Sequence, residues 1–443
     1  MTENGKHTLK ALLLAIPVLA FISCKTIQTT VDTKDLSYIY NPTRNQINPL
    51  YNVTNQLDDK TLLSVKFFAS ELFFSEANPT GVPTAEMSIS VKLFNVTQGK
   101  VLADTAVYNI NIQKQEGRSF YIYGIPLKVS KGMEYNAEVK ILDRLRAIVV
   151  QAFVPFNTLS SANKYNFVAQ DGYQKSMLFT HVIRAGEYVN LIYLKSKIDS
   201  MFISFYKPFR GIPDPPSMLL PQKTLDYGPD TIVRVPYSDT VSLMFPREGV
   251  FKCTIGRDTV DGFTFMNFGT TFPEMKTPEA MIEPLAYLAN PDELNDLRSA
   301  PKPKLALDEF WINCGKNVDK ARELIRIYYT RVQYANHYFT SFEEGWRTER
   351  GMVYIVYGPP DKVYKTSDGE NWGYKKPVLK SSWGPRYKVK EEYLYFNFKK
   401  KDNIFTDNDY FLSRSQTLVT LWEQAIASWR KGIVFRFDNP VQL

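Results

Sequence analysis

The most informative stretch of this chain is Gly345-Trp346-Arg347-Thr348-Glu349-Arg350-Gly351-Met352-Val353-Tyr354-Ile355-Val356-Tyr357-Gly358-Pro359-Pro360-Asp361, which we call the signature segment. It combines three glycines, two prolines and a tryptophan with a short run of aromatic and β-branched residues. Glycine and proline adopt or enforce backbone conformations that other residues avoid. Such a density of them predicts one fixed local structure.

The residues of the signature segment indicate a junction between a helix and a strand. Gly345 is expected to take a positive φ and end the preceding helix. Trp346 should pack back as an apolar plug, and Thr348 should cap the following turn. The alternation in Met352–Tyr357 predicts a strand, after which Asp361 can accept hydrogen bonds from nearby amides. We therefore expect a structural rather than a catalytic role for Gly345, Trp346, Thr348, Glu349, Gly351, Tyr357, Gly358, Pro359 and Asp361.

A second block lies upstream, Tyr328-Tyr329-Thr330-Arg331-Val332-Gln333-Tyr334-Ala335-Asn336. The two blocks in this order resemble the GWxTD domain, a family of bacterial envelope proteins, over residues 285–438. Glu349 stands where the family has its name-giving Asp. If that carboxylate bound a metal or did chemistry, the longer side chain would displace it by about one C–C bond length. If it only accepts hydrogen bonds in a turn, Glu serves as well. The resemblance implies an α+β C-terminal domain and an envelope location, but no defined activity.

The N-terminus predicts export and lipidation. Lys6 and Lys10 precede the apolar stretch 11–22, which is too short to span a bilayer and fits a secretory signal. The sequence Phe21-Ile22-Ser23-Cys24 follows and resembles a bacterial lipobox. We therefore predict a signal peptide over residues 1–23 and a lipid on Cys24. In bacteria rich in the GWxTD family, lipoproteins sent to the cell surface often carry acidic residues just after the lipidated Cys. No acidic residue occurs here before Asp32, so the resemblance favours the periplasmic face of the outer membrane.

The rest of the chain predicts a mainly β, multidomain protein. After a polar tether over residues 24–36, alternation such as Met87, Ile89 and Val91 predicts a β-sandwich-like domain over residues 37–156. A second β-sandwich-like domain is expected over residues 157–275. Helix signals begin at Thr277-Pro278 and predict an α+β domain over residues 276–443.

Charge and cysteine content limit the partners. The formal net charge is +8, and export makes nucleic acid an improbable partner, so a membrane surface or an acidic protein is expected. A basic segment with interleaved aromatics is a candidate membrane-surface patch, comprising Lys375, Lys376, Lys380, Arg386, Lys388 and Lys390. Cys253 and Cys314 either pair in the oxidising periplasm or are buried thiols.

Sequence motifs for catalysis or metal binding are absent, so no cofactor or metal is predicted. Glu343 and Glu344 could act as acid and base, but adjacent carboxylates at a helix end are usually solvated. The leading hypothesis is a non-enzymatic scaffold or accessory subunit of an outer-membrane complex for barrel assembly or protein secretion. The alternative is a carbohydrate- or peptidoglycan-binding lipoprotein, for which Trp372 and Trp383 are the candidate platforms. An envelope hydrolase is a third hypothesis that would need a carboxylate pair or a metal in a cleft.

Overall fold

The computed structural model describes residues 35–41, 47–56, 60–76, 81–97, 99–216, 227–366, 368–376 and 391–437. Within these residues, strands occupy the N-terminal two thirds of the chain and the α-helices cluster in the last third. The predicted mainly β, multidomain architecture with an α+β C-terminal part is confirmed. The predicted domain limits themselves stay predictions. We distinguish three units by their hydrophobic cores and call them the first sandwich, the second sandwich and the C-terminal unit.

The first sandwich is built from two antiparallel sheets, ordered β1-β2-β5 and β4-β3-β6-β7. Alternate residues of its strands face the shared core, and Met87, Ile89 and Val91 are at most 2% exposed. The strands are β1 (Leu50–Asn55), β2 (Thr61–Phe68), β3 (Thr84–Asn95), β4 (Val101–Gln113), β5 (Phe120–Leu127), β6 (Glu134–Asp143) and β7 (Ile148–Asn157).

The second sandwich has a smaller core between a three-stranded sheet, β13-β10-β8, and a five-stranded sheet, β12-β11-β14-β15-β9. Its central strands β14 and β15 are buried along their whole length, since both of their faces are covered. The strands are β8 (Phe167–Asp171), β9 (Val182–Ile183), β10 (Tyr188–Tyr193), β11 (Ser200–Tyr206), β12 (Thr231–Pro236), β13 (Leu243–Met244), β14 (Gly249–Thr254) and β15 (Phe263–Asn267).

Among its described residues, the C-terminal unit packs six α-helices around a four-stranded antiparallel sheet, ordered β16-β17-β18-β19. Its longest helix places one apolar stripe, spaced by three and four residues, against the core. The elements are α1 (Pro278–Ile282), α2 (Pro291–Ser299), α3 (Pro303–Gly315), α4 (Val318–Phe339), α5 (Glu349–Tyr357), β16 (Lys362–Lys365), β17 (Gly369–Lys375), β18 (Tyr393–Lys400), β19 (Tyr410–Leu412) and α6 (Gln416–Arg430).

Residues 35–41, which we call the N-terminal segment, pack against the C-terminal unit rather than against the first sandwich alone. Leu36 is 1% exposed and Tyr40 is 5% exposed, and both belong to the core of the C-terminal unit. The sequence does not foretell this packing, because the ring partners of Tyr40, which include Phe339 and Trp372, lie about three hundred residues away in the chain, near the signature segment.

Two helix caps form as the sequence predicts, and both described cysteines are free thiols. Thr277 caps α1 by accepting a hydrogen bond from Ala280 N at 3.2 Å, and Asn290 caps α2 in the same way at 2.8 Å, as their sequence context predicts. Cys253 and Cys314 are both buried and unpaired, so the thiol interpretation holds.

Candidate functional site

The signature segment folds as a short 3₁₀ turn, Gly345–Arg347, followed directly by α5. The predicted strand over Met352–Tyr357 is therefore wrong. The helix forms because Thr348 caps it, accepting a hydrogen bond from Gly351 N at 3.0 Å, and because Gly358 ends it with φ of 89°. Its apolar residues face protein on all sides, and a helix buried all round has no polar face to reveal its period.

Two glycines of the signature segment are required by close backbone contacts. A Cβ on Gly345 would lie 2.0 Å from Ala335 O, and one on Gly351 would lie 1.9 Å from Gly345 O. Gly345 does not take the expected positive φ, and α4 already ends at Phe339. Both glycines instead allow the 3₁₀ turn to pack directly onto α4 and α5.

Trp346 is 1% exposed and its backbone is held at both ends. Its N–H donates to Asn336 Oδ1 at 3.0 Å, and its carbonyl accepts from the Tyr287 hydroxyl at 2.6 Å. The Arg347 guanidinium stacks on its ring at 4.1 Å from the centroid. The tryptophan is thus an internal plug that fixes the turn against α4.

Three polar side chains at the signature segment bind backbone carbonyls from the second sandwich and its connections. Arg347 Nη1 donates to Arg210 O at 3.0 Å, and Asn336 Nδ2 donates to Pro273 O at 2.9 Å. Arg414 Nη2 donates to Asp214 O at 2.9 Å. These contacts hold two connections in place. One is the loop over residues 207–216 after β11, which we call the proline-rich loop, and the other is the connection that follows β15.

Glu349, the residue at the position of the family Asp, binds Arg414 and the β19 backbone. Its carboxylate lies 3.1 Å from Arg414 Nη2 and accepts a short hydrogen bond from Leu412 N. Burial raises the pKa of Glu349, which the Arg414 charge and the hydrogen bonds oppose. The carboxylate therefore has a structural partner on each side, and it orients the same arginine that binds Asp214 O.

Arg350 and Glu370 form an ion pair, at 3.2 Å, whose side chains are 2% and 1% exposed. The Arg350 guanidinium also lies 3.8 Å from the centre of the Tyr410 ring. Glu370 accepts further hydrogen bonds from Trp372 Nε1 at 3.0 Å and from the Tyr40 hydroxyl at 2.9 Å. Burial alone would raise the pKa of Glu370, but the nearby cations and these hydrogen bonds lower it to about 2.

The N-terminal segment is also bound to β16 and to α5 by hydrogen bonds. Leu36 N donates to Val363 O at 2.8 Å, and Val363 N donates to Asp35 Oδ1 at 3.1 Å. The hydroxyl of Tyr354, in α5, donates to Tyr40 O at 3.0 Å. The N-terminal segment is therefore attached beside β16 and is clamped by a residue of the signature segment.

The end of the signature segment is also bound within the fold. Asp361 Oδ2 accepts from Lys375 N at 2.8 Å, and Gly358 O accepts from the Tyr374 hydroxyl at 2.8 Å. Tyr357 is 4% exposed and packs against Phe396. Pro359 is exposed and follows the helix end, where proline stops further helix.

The predicted basic patch is only partly within the described residues. Lys380, Arg386, Lys388 and Lys390 lie outside them, as does Trp383. Lys375 pairs with Glu391 at 2.5 Å and Lys376 with Glu392 at 3.6 Å, so these two lysines do not add net charge locally. Trp372 is fully buried at 0% exposure and cannot serve as a sugar-stacking platform.

An acid cluster beside the signature segment was not foreseen from the sequence. Glu343, expected to be solvated, is only half-buried and interacts electrostatically with Asp409 and Tyr227. Burial, with repulsion from Asp409, raises the pKa of Glu343 well above its ordinary range, and burial likewise raises the pKa of Asp409. The difference arises because α4 ends at Phe339, so Glu343 lies in the connection to the 3₁₀ turn rather than at a helix end.

A polar cleft of about 340 Å³ lies where the second sandwich meets the C-terminal unit. Lys164 pairs with Asp407, and Lys252 Nζ donates to Ile404 O at 2.8 Å. Burial lowers the pKa of Lys252 to about 8, and burial with the Lys164 charge lowers that of His181 to about 4. The lysines are thus used to join the units rather than held for chemistry.

Two further properties concern only the described part of the chain. No group of three or more His, Cys, Asp or Glu side chains there has an arrangement that could hold a metal ion. No helix there is both long and apolar enough to cross a bilayer. Cys24 lies outside the described residues, so its lipidation stays a prediction.

Comparisons with known proteins give one assignment. No curated protein matches the chain. Solved structures that match include Bacteroides uniformis beta-glucuronidase at 15% identity, covering 38% of this chain and 15% of that chain, with a TM-score of 0.15. Beta-glucuronidase 2 of Bacteroides uniformis, bound to cyclophellitol-6-carboxylate aziridine, matches at 16% identity over 39% of this chain and 17% of that chain, with a TM-score of 0.16. The chain spans under a fifth of these enzymes, and such low TM-scores carry no argument.

The family comparison is more specific and agrees with the resemblance seen in the sequence. Its matched region begins earlier than the sequence indicated, at β14 of the second sandwich, and ends just after α6. Residues 249–431 match the GWxTD domain, and this match assigns the C-terminal part of the chain to that domain.

Proposed function

We propose that this protein is a non-enzymatic, lipid-anchored scaffold or accessory subunit of an outer-membrane complex, in barrel assembly or protein secretion. One observation carries the proposal. Polar side chains in and around the signature segment donate to backbone carbonyls of three separate parts of the chain. These carbonyls belong to the N-terminal segment, the proline-rich loop and the connection after the second sandwich, at Tyr40, Arg210, Asp214 and Pro273.

This use of the signature segment favours binding over catalysis. A catalytic constellation directs its polar groups toward a space where substrate sits. Here Arg347, Glu349 and Arg350 direct theirs toward protein, and each has a charged or carbonyl partner. The segment joins the units and fixes their relative arrangement. A fixed arrangement of binding modules on one anchor is what a scaffold needs.

The N-terminal segment supports the membrane part of the proposal. If Cys24 carries the lipid, the chain from Cys24 to Asp35 spans at most about 40 Å when fully extended. The C-terminal unit is the part of the molecule to which Asp35 is bound. The GWxTD domain would then stay close to the membrane surface, while the first sandwich is free to meet partners.

Mild cross-linking in native membranes, followed by identification of the captured proteins, tests the proposal. We expect outer-membrane barrel-assembly or secretion components to be enriched with the intact chain and lost with Cys24→Ala. Lys25→Ala is the matched control, because it alters the adjacent position and keeps the lipid site. Equal enrichment with Cys24→Ala, or no outer-membrane component with the intact chain, would refute a lipid-anchored scaffold.

The carbohydrate-binding alternative is less well supported. It requires aromatic faces open to solvent beside amides or carboxylates. Of its two candidate platforms, Trp372 is enclosed by Tyr40, Phe339 and Phe398. Trp383 lies outside the described residues. Retention of the protein on isolated peptidoglycan, in salt that breaks weak ionic contacts, would restore this alternative.

A further inference from the structure

The two sides of the first sandwich differ in how they are covered. On one side, β1 and β7 face other parts of the same chain. Gln151 N in β7 donates to the Tyr38 hydroxyl at 2.8 Å, and Phe153 packs against the core of the C-terminal unit. Asn52 Nδ2 in β1 donates to Leu178 O, between β8 and β9 of the second sandwich, at 3.5 Å. This side is therefore closed by intramolecular contacts.

On the opposite side, β4 and β5 form the edges of the two sheets. The Tyr108 and Tyr123 rings, 6.3 Å apart, show that the two edges face one another. Pro126 in β5 lacks an N–H group and weakens that edge as a pairing template. Among the described residues, β4 pairs only with β3.

The β4 edge lacks the devices that usually protect an edge strand. It is 13 residues long, contains neither lysine nor proline, and has Asp104 as its single charge. Val101 is 61% exposed and Val107 is 64% exposed. Long, apolar edges with unpaired backbone groups attract a further strand, and natural proteins usually block them with charge or proline. By contrast, the β12 edge carries Arg234 and Pro236.

A groove of about 820 Å³ runs beside β4, between it and β5, and we call it the β4 groove. It adjoins a second cleft of about 360 Å³ through the shared lining residues Thr61, Val129 and Ser130. The charged lining residues of the two clefts are Lys60, Lys128, Lys131 and Lys195 against Asp104. Both apolar and polar residues therefore line the two clefts, and their charged residues are mostly positive.

We propose that the β4 edge and the β4 groove accept an extended, acid-bearing segment of a partner protein as an added strand. This inference rests on the proposed scaffold function and names the kind of partner. The backbone of the added strand would pair with β4, alternate side chains would enter the groove, and its carboxylates would meet Lys60 and Lys128. A second copy of this chain is disfavoured as the occupant because it would bring the same lysines together across a symmetric contact.

The test uses a fluorescent synthetic peptide as long as β4, alternating valine and threonine and carrying two glutamates. A matched peptide carries lysines in place of the glutamates. Anisotropy measures binding to the mature chain, and hydrogen exchange reads the amides of Val101–Gln113 with and without peptide. We expect the acidic peptide to bind, to protect β4 amides, and to bind at least about tenfold more tightly than the basic peptide.

Val107→Glu places a negative charge on the open edge, where it repels the carboxylates of the acidic peptide, and should weaken binding of that peptide by at least about tenfold. Val107→Thr keeps a neutral, β-branched side chain and should bind like the original chain. Val233→Glu makes the same change of charge at a residue that is 50% exposed on the β12 edge, and it should also leave binding unchanged.

Several outcomes would overturn the inference. These are absence of binding, equal binding of both peptides, equal loss with Val107→Glu and Val233→Glu, or protection outside β4. A dimer that dissociates with Val107→Glu in sedimentation would show a second copy on this edge instead. If the peptide binds at β4 but no partner is cross-linked in membranes, the scaffold proposal fails while the strand-accepting edge stands.

Discussion

Glu370→Gln is the sharpest perturbation of the contact between the N-terminal segment and the signature segment. Glu370 is the carboxylate that Arg350, Trp372 and Tyr40 share in a site excluded from water. Glutamine preserves shape but removes the negative charge. Arg350 then remains buried without its counter-charge, which is the costly half of breaking a buried ion pair.

The expected magnitude follows from the pKa of Glu370, which lies near 2 in the folded protein against an ordinary value of 4.5. That difference corresponds to about 3 kcal/mol of stability near neutral pH. Removing one partner of a buried pair gives a similar range, about 3–5 kcal/mol. Because the folded pKa is depressed, this contribution is fully present above about pH 4.5 and is lost as the pH falls toward 2.

Urea unfolding followed by tryptophan fluorescence measures this effect in the correct part of the molecule. All six tryptophans belong to the last third of the chain: Trp311, Trp346, Trp372, Trp383, Trp422 and Trp429. The signal therefore reports the C-terminal unit without interference from the sandwiches. We expect the variant to be less stable by about 3 kcal/mol near pH 7 and by only about 1 kcal/mol near pH 3.

The control for this experiment is Glu391→Gln, which removes a carboxylate from the exposed pair with Lys375 and should leave stability nearly unchanged, because solvent screens exposed pairs. Groups that titrate in both the variant and the original chain change the two free energies of unfolding equally, so their effects cancel in the difference. The reasoning would be refuted if Glu370→Gln lost under about 1 kcal/mol near pH 7. It would also be refuted if the gap to the original chain stayed constant between pH 7 and pH 3.

Three further predictions use the same unfolding assay. Thr348→Ala removes the cap of α5 and should lower stability by about 1 kcal/mol, whereas Thr348→Ser should lower it by much less. Gly351→Ala would place a Cβ 1.9 Å from a carbonyl oxygen of the preceding turn, so it should destabilise by about 1–3 kcal/mol despite alanine's better helix propensity, while Gly211→Ala, in open space, should be neutral. Tyr40→Phe removes a hydrogen bond to the Glu370 carboxylate and should cost about 1.5–3 kcal/mol; a loss below about 0.5 kcal/mol would show that the hydroxyl is dispensable.

The sequence predicted the β sandwiches and the long helices well because their residues alternate or repeat clearly. Met87, Ile89 and Val91 face one core at period two, and α4 carries an apolar stripe at helical period. The caps at Thr277 and Asn290 are local signals, readable from adjacent residues. Such features need no knowledge of the rest of the fold.

The signature segment shows why a short apolar run is ambiguous. Met352–Tyr357 consists of β-branched, aromatic and methionine residues that favour a strand, yet burial on every side lets it form a helix. The deciding signals were Thr348 and Gly358, which bound α5 as its cap and its left-handed end. Both were recognised in the sequence but assigned to turns around a strand.

The partners of the signature segment could not be predicted from one sequence. Tyr40 and Glu370 are separated by 330 positions, and no local pattern pairs them. The carbonyl acceptors at Arg210, Asp214 and Pro273 belong to irregular loops, and any residue type can supply a carbonyl. The residue types of the signature segment predicted one fixed local structure, whereas the fold of the whole chain determines which carbonyl groups it contacts.

The attachment of the N-terminal segment at β16 has a mechanical consequence. A pull on the N-terminus meets the hydrogen bond from Leu36 N to Val363 O, and the bond from Val363 N to the Asp35 carboxylate, before it reaches any strand of the first sandwich. Tension is therefore borne by the sheet of the C-terminal unit. If Cys24 carries the predicted lipid, a pull from the membrane would therefore load the C-terminal unit before it reaches either sandwich.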